Sequence, residues 1–190
     1  MNRTDRRMQT ASTEFKTRND NGNLKIEGYF AVFDSIYEIA PGMSESIAQG
    51  AFDNTLSGDI RALINHDTTL VLGRTKANTL NLRTDSHGLW GSIDINPNDS
   101  DAMNLYSRVE RGDVNQCSFG FDILNEETDF REDGSVHWTI KEVKLYEVSP
   151  CTFPAYEETN IAARSKERAE LIKRKNEAWK EKMLKKVKGE

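Results

Sequence analysis

At 190 residues, with 36% hydrophobic and 30% charged side chains, the chain has the size of one domain plus an appendage and can bury a single core. Its apolar runs are only a few residues long, which excludes a helical membrane span, and the basic start "MNRTDRRMQT" lacks the apolar stretch of a secretory signal. The net charge of −5 conceals a division: residues 161–190 carry 11 Lys/Arg against 5 Asp/Glu, so a basic tail follows an acidic body.

In chain order, residues 1–13 read as a flexible polar leader, 14–160 as the main domain and 161–190 as a charged tail. "LKIEGYFAVFDS" (24–35) is rich in β-formers and predicts a strand or strand pair. "SESIAQGAFDNTL" (44–56) has helical spacing at Ile47, Ala51 and Leu56, with Ser44 as a cap and Gly50 as a weak point. "DIRALINH" (59–66) alternates and predicts a strand with Ile60, Ala62, Ile64 and His66 on one face. "TLVLGRT", "TLNLRTD" and "GLWGSIDIN" follow as successive antiparallel strands, and 99–113 suggests a helix with Met103, Tyr106 and Val109 on one side. "NQCSFGFDI" (115–123) is a strand, Asp133-Gly134 turns a hairpin, and a long strand runs over 136–148. The tail consists mostly of helix formers with a weak apolar stripe, so a solvated helix, a docking helix and disorder stay open. Its interleaved glutamates and lack of a base-stacking aromatic set argue against nucleic-acid binding.

Few groups are equipped for chemistry. Cys117 and Cys151 sit in apolar runs and read as buried thiols of a reducing compartment, not as a disulfide framework. Strand alternation sends Cys117, Phe119, Phe121 and Ile123 to one face and Ser118, Gly120 and Asp122 to the other. Glycine weakens a strand unless something must approach the backbone, so Gly120 beside Ser118 marks a candidate site. Of the three histidines, His87 and His137 read as turn-borne and exposed, whereas His66 shares a face with aliphatic residues. The commoner explanation for such a residue is a core-edge histidine satisfied by a backbone group, which the polar "NHD" corner softens without defeating. Glu147 shares a face with Val143, Leu145 and Ser149, where a carboxylate needs a cation or several donors. An imidazole is one such partner; the alternative, which periodicity alone favours, is that Glu147 pairs with an arginine or lies at the sheet edge. Serine becomes a nucleophile when a base removes its proton, and the base works best when a carboxylate orients it. Ser118, His66 and Glu147 supply these three groups, and spacing alone does not join them.

The ordered set "GYFAVFDS", "ESIAQGAFDNTL", "INHD", "LGRT", "GLWGSIDI", "RGDVNQCSFGF" and "LYEVSPCTFPA", spread over about residues 14–160, resembles the prohead (procapsid maturation) serine proteases of tailed bacteriophages. The resemblance implies an α+β fold related to the herpesvirus protease assemblin: a β-barrel-like antiparallel or mixed sheet flanked by helices, followed by a helical or disordered basic tail. It implies a serine endopeptidase working through an acyl-enzyme, with Ser118 as nucleophile, His66 as base and Glu147 as the acidic third member. Asp67 and Asp122 are the fallback acids, and Arg74 and Gly120 would shape the oxyanion site. No cofactor or metal is implied. The implied partners are a capsid protein with its scaffold segment, as substrate, and the chain itself, as substrate and as homo-oligomer. The implied place is the assembling procapsid in the host cytoplasm.

Three rivals compete with that expectation. A non-enzymatic scaffold or capsid-binding protein would keep the fold without the activity. A metal-dependent hydrolase would use His66, Asp67, Asp85 and His87, although H-E-x-x-H and paired Cys/His spacings are absent. A cysteine protease would use Cys117, which alternation places on the side of Phe119 and Phe121.

Overall fold

The alternation in "LKIEGYFAV" is realised as a strand whose Ile26, Gly28 and Phe30 are buried and separated by the less buried Glu27 and Tyr29. In the computed structural model, which describes residues 7–11, 15–153 and 158–188, this strand belongs to one of two sheets. The strands in chain order are β1 (Arg7–Ala11), β2 (Lys16–Asp20), β3 (Asn23–Val32), β4 (Tyr37–Ala40), β5 (Met43–Ile47), β6 (Arg61–Ile64), β7 (Asp67–Arg74), β8 (Leu80–Thr84), β9 (Gly88–Asp94), β10 (Gln116–Phe130) and β11 (Val136–Cys151). The helices are α1 (Ser100–Arg111) and α2 (Glu158–Lys188).

The smaller sheet is antiparallel, in the order β2-β3-β9-β8. The larger runs β1-β10-β11-β5-β4, and β6 with its hairpin partner β7 also joins β11. β11 pairs antiparallel with β10 but parallel with both β5 and β6, so the sheet is mixed. The α+β class and the helix-flanked mixed sheet are as expected. The strand ladders do not close into a barrel, because the pairing leaves two separate sheets.

The two sheets share one core. Ile26, Phe30, Leu89 and Ile93 of the smaller sheet join Phe119, Phe121, Ile140 and Val148 of the larger. Phe52 meets Phe119 edge-on with centroids 5.7 Å apart, and Phe119 stacks on Phe121 at 4.9 Å. α1 contributes Ala102, Leu105, Tyr106 and Val109 to this core. Asp99 caps it by accepting the Asp101 and Ala102 backbone N–H groups, and Gly112 ends it in the left-handed conformation at φ 83°.

The expected helix over 44–56 is absent. Met43–Ile47 is instead strand β5, and residues 48–58 form consecutive tight turns, with Gly50 at φ 85°. The physical reason lies in the edge of β11. β5 covers its stretch from Val136 to Ile140 and β6 covers Glu147 and Val148, leaving a gap between them. The turns fill that gap: Val143 N–H donates to the Ala51 carbonyl at 3.0 Å, and Leu145 N–H donates to Thr55 Oγ1 at 2.8 Å. A helix over these residues would spend its carbonyls internally and leave buried donors of β11 without acceptors.

Residues 7–11, expected within a flexible leader, form β1 along the outer edge of β10, with Thr10 opposite Ser118. The tail is helical: α2 starts at Glu158 and passes without a break through the boundary expected at 161. It docks through Arg164, which is 1% exposed and lies over the Trp138 ring at 4.4 Å. Arg164 donates to Glu126 Oε2 at 2.7 Å and Glu167 Oε2 at 2.9 Å, and reaches Glu45 Oε2 at 3.4 Å.

Candidate active site

The side chains of interest converge where the end of β11 meets the β6–β7 hairpin. β6 and β7 are joined by the two residues Asn65 and His66, with Ile64 paired to Asp67. Both turn residues are left-handed, at φ 50° and 62°, the signature of a type I′ hairpin turn. His66 therefore does not end an alternating strand, as its spacing suggests. It stands at a hairpin tip, and only Ala62, Leu63 and Ile64 before it are buried strand residues.

The tip is fastened to β11 by backbone bonds. Asn65 N–H donates to the Pro150 carbonyl at 3.1 Å, and Thr152 N–H donates to Asn65 Oδ1 at 2.9 Å. His66 N–H donates to Ser149 Oγ at 3.3 Å. These contacts hold the imidazole against Glu147, where Nδ1 and Oε1 are 2.7 Å apart and the two side chains are 13% and 8% exposed. An ionised carboxylate only accepts, so Nδ1 carries the proton and Nε2 of a neutral ring is left as the acceptor. The second carboxylate oxygen, Oε2, accepts the Ser149 hydroxyl at 2.6 Å.

Ser118 lies on β10 opposite Ser149, and Gly120 lies opposite Glu147. Directly opposed residues of an antiparallel pair project to the same face, with Cβ atoms about 4.5–5.5 Å apart. Ser118 thus shares its face with Ser149 and Glu147. Two buried polar atoms here lack a hydrogen-bond partner among the described residues: Ser118 Oγ and His66 Nε2. One is a hydroxyl with a proton to give and the other a ring nitrogen able to take it.

Gly120 also makes room for the carboxylate. A Cβ there would clash with Glu147 Oε1, so the missing side chain leaves space for the carboxylate. Ser118 itself is fully buried, at 0% exposure, which alternation misses because both faces of β10 are covered over 117–121.

The remaining candidates fall elsewhere. Asp67 Oδ1 accepts the Thr69 N–H and hydroxyl at 2.8 and 2.6 Å, and Asp122 accepts the Tyr146 hydroxyl at 2.6 Å. Glu147 is the carboxylate that reaches His66. Arg74 makes a two-pronged pair with Asp59, both bonds at 2.6 Å, which pulls the Asp59 carboxyl down to about 2. Asp85 accepts the Tyr29 hydroxyl and the His87 and Gly88 N–H groups in the β8–β9 turn. No three His, Cys, Asp or Glu side chains gather as metal ligands among the described residues, so His66, Asp67, Asp85 and His87 do not form one group. Cys117 faces inward, its thiol directed at the Tyr29 and Phe30 carbonyls at 3.3 and 3.5 Å. His137, expected to be exposed, is bracketed by the Ser44 and Ser46 hydroxyls at 2.8 and 2.9 Å.

Two features receive no role in the sequence reading. Ser149 stands two residues from Glu147, a spacing that places a hydroxyl beside the carboxylate on an extended strand. "NH" between Ile64 and Asp67 is a two-residue hairpin signal, since asparagine tolerates positive φ.

Ser118, His66 and Glu147 are of the three residue types that a serine hydrolase uses. A sequence profile of the caudovirus prohead serine proteases matches residues 9–174, and the chain belongs to that family. The prohead protease of Enterobacteria phage HK97 is 31% identical over 155 residues, a match covering 80% of this chain and 64% of that protein. Among solved structures, the bacteriophage T4 capsid assembly protease superposes with a TM-score of 0.50 at 10% identity, covering 79% of this chain and 99% of that one. At that identity the likeness is one of fold.

Proposed function

We propose that the chain is a serine endopeptidase that cleaves capsid and scaffold segments, and itself, during procapsid maturation, with Ser118, His66 and Glu147 as its triad. The observation that carries this is that two buried groups, Ser118 Oγ and His66 Nε2, both lack a hydrogen-bond partner among the described residues, while His66 Nδ1 lies 2.7 Å from Glu147. Membership of the family and the name of the HK97 relative support the same activity.

In the proposed reaction His66 Nε2 takes the Ser118 proton as Oγ attacks the scissile carbonyl. The tetrahedral oxyanion is held by backbone N–H groups, a contribution of about 3–4 kcal/mol per donor in other proteases. Its collapse breaks the C–N bond, and His66 hands the proton to the leaving amine. Water then repeats the sequence on the acyl-enzyme and frees Ser118. Glu147 keeps the proton on Nδ1 and stabilises the imidazolium as it forms. Arg74 belongs in the proposal as a brace of the β6–β7 hairpin through Asp59, since an oxyanion role would require it to release that carboxylate. The full burial of Ser118 is part of the proposal as a resting state, whose cover parts before a peptide binds.

Co-expression with the cognate major capsid protein tests the proposal. The wild type should shorten the capsid band on a gel, and Ser118→Ala should leave it intact, a loss on the order of 10⁶ in kcat. Equal processing by both would instead favour a non-enzymatic scaffold protein.

A further inference from the structure

Ser149 takes no part in the proton transfers above, yet it touches both groups that orient the base. Its side chain is fully buried at 0% exposure. Its oxygen accepts the His66 backbone N–H at 3.3 Å, and its proton goes to Glu147 Oε2 at 2.6 Å. A serine hydroxyl has one proton and two acceptor positions, so the single donor is committed to the carboxylate. With Oε1 on His66 Nδ1, both oxygens of Glu147 are held, and rotation of the carboxylate breaks one bond or the other.

The backbone half of this link matters as much. His66 sits at φ 62°, a left-handed conformation that is strained for a residue other than glycine. Its N–H bond to Ser149 helps hold that conformation, and with it the direction in which the imidazole leaves the chain. One hydroxyl therefore links the hairpin tip bearing the base to the strand bearing the carboxylate.

We infer that Ser149 is a positioning residue, whose hydroxyl fixes the His66 backbone and the Glu147 carboxylate in one geometry and so aims Nε2 at Ser118. The inference rests on the triad proposed above. It differs from a packing role, which a side chain of equal shape would fill without a hydroxyl.

The test uses the full chain and two readouts. The first is the rate of capsid-protein shortening on co-expression. The second is the downfield proton resonance of the His66 Nδ1–H bound to Glu147, assigned by its loss in His66→Gln. Ser149→Ala should slow cleavage about 10- to 100-fold, the range for a catalytic group displaced by a fraction of an ångström to an ångström. It should also broaden or move the resonance. Ser149→Thr and Ser149→Val share one shape and differ in the hydroxyl, so Thr should retain cleavage and resonance while Val loses both, even if Ala unfolds the protein. Ser118-dependent cleavage that proceeds at the wild-type rate in Ser149→Ala, or equally in Thr and Val, overturns the role of Ser149 alone. Slower cleavage with an unmoved resonance overturns it too. Processing that persists in Ser118→Ala sinks the triad itself.

Discussion

Replacing Glu147 by glutamine keeps the side chain's size but removes the charge that fixes the His66 proton on Nδ1. If the proposed triad operates, Glu147→Gln lowers the cleavage rate by about 10⁴-fold, as loss of the orienting carboxylate does in other serine proteases, with little change in far-UV circular dichroism. Gly120→Ala acts on the same carboxylate from across the ladder, since the new methyl would clash with Oε1. Overpacking of this kind costs about 1–3 kcal/mol, read as a lower urea midpoint, and cleavage should fall with it. His137 gives a pH signature away from the site. Burial first, and Arg131 second, lower its pKa from 6.5. A base with a depressed folded value binds fewer protons folded than unfolded, so its contribution is present above pH 6.5 and is lost as pH falls toward the folded value. The urea midpoint should therefore fall on acidification from that point, and His137→Gln should flatten that part of the profile.

At the scale of elements, the long strands, the Asp133-Gly134 hairpin and α1 were legible because each satisfies its own period and carries its own cap or turn. The segment 44–56 was not, because its conformation is set by a partner far along the chain. Its backbone and Thr55 serve the edge of β11 left open between β5 and β6. The docking of α2 was likewise hidden, since one arginine in a run of charged residues carries it. Arg164 reaches Glu126, Glu45 and Glu167 and stacks on Trp138, so its charge survives despite burial because those carboxylates outweigh the desolvation. Arg164→Ala should cost about 3–5 kcal/mol, the range for breaking a buried ion pair, and should raise amide exchange along α2.

At the scale of the whole molecule, α2 runs across the boundary expected between body and tail. A chain ending at 160 would lose Arg164, whereas one ending at 174 would keep both it and Leu171, which packs beside Trp138. The family match also runs to 174. Truncation after 174 should leave the urea midpoint nearly unchanged, and truncation after 160 should lower it by an amount comparable to Arg164→Ala. Capsid processing by the two truncated chains then separates a contribution of the basic helix to partner binding from its contribution to stability.

The sequence by itself determined the class of fold, most strands, α1 and the three residues of the proposed site, because periodicity, turn chemistry and a resemblance spread over the body act within short windows or as ordered motifs. Only the tertiary structure decided that His66 stands at a type I′ tip, that Ser149 links it to Glu147, and that Gly120 clears space for a carboxylate. Those facts depend on register between strands far apart in the chain. A one-residue slip in that register would send every one of these side chains to the opposite face.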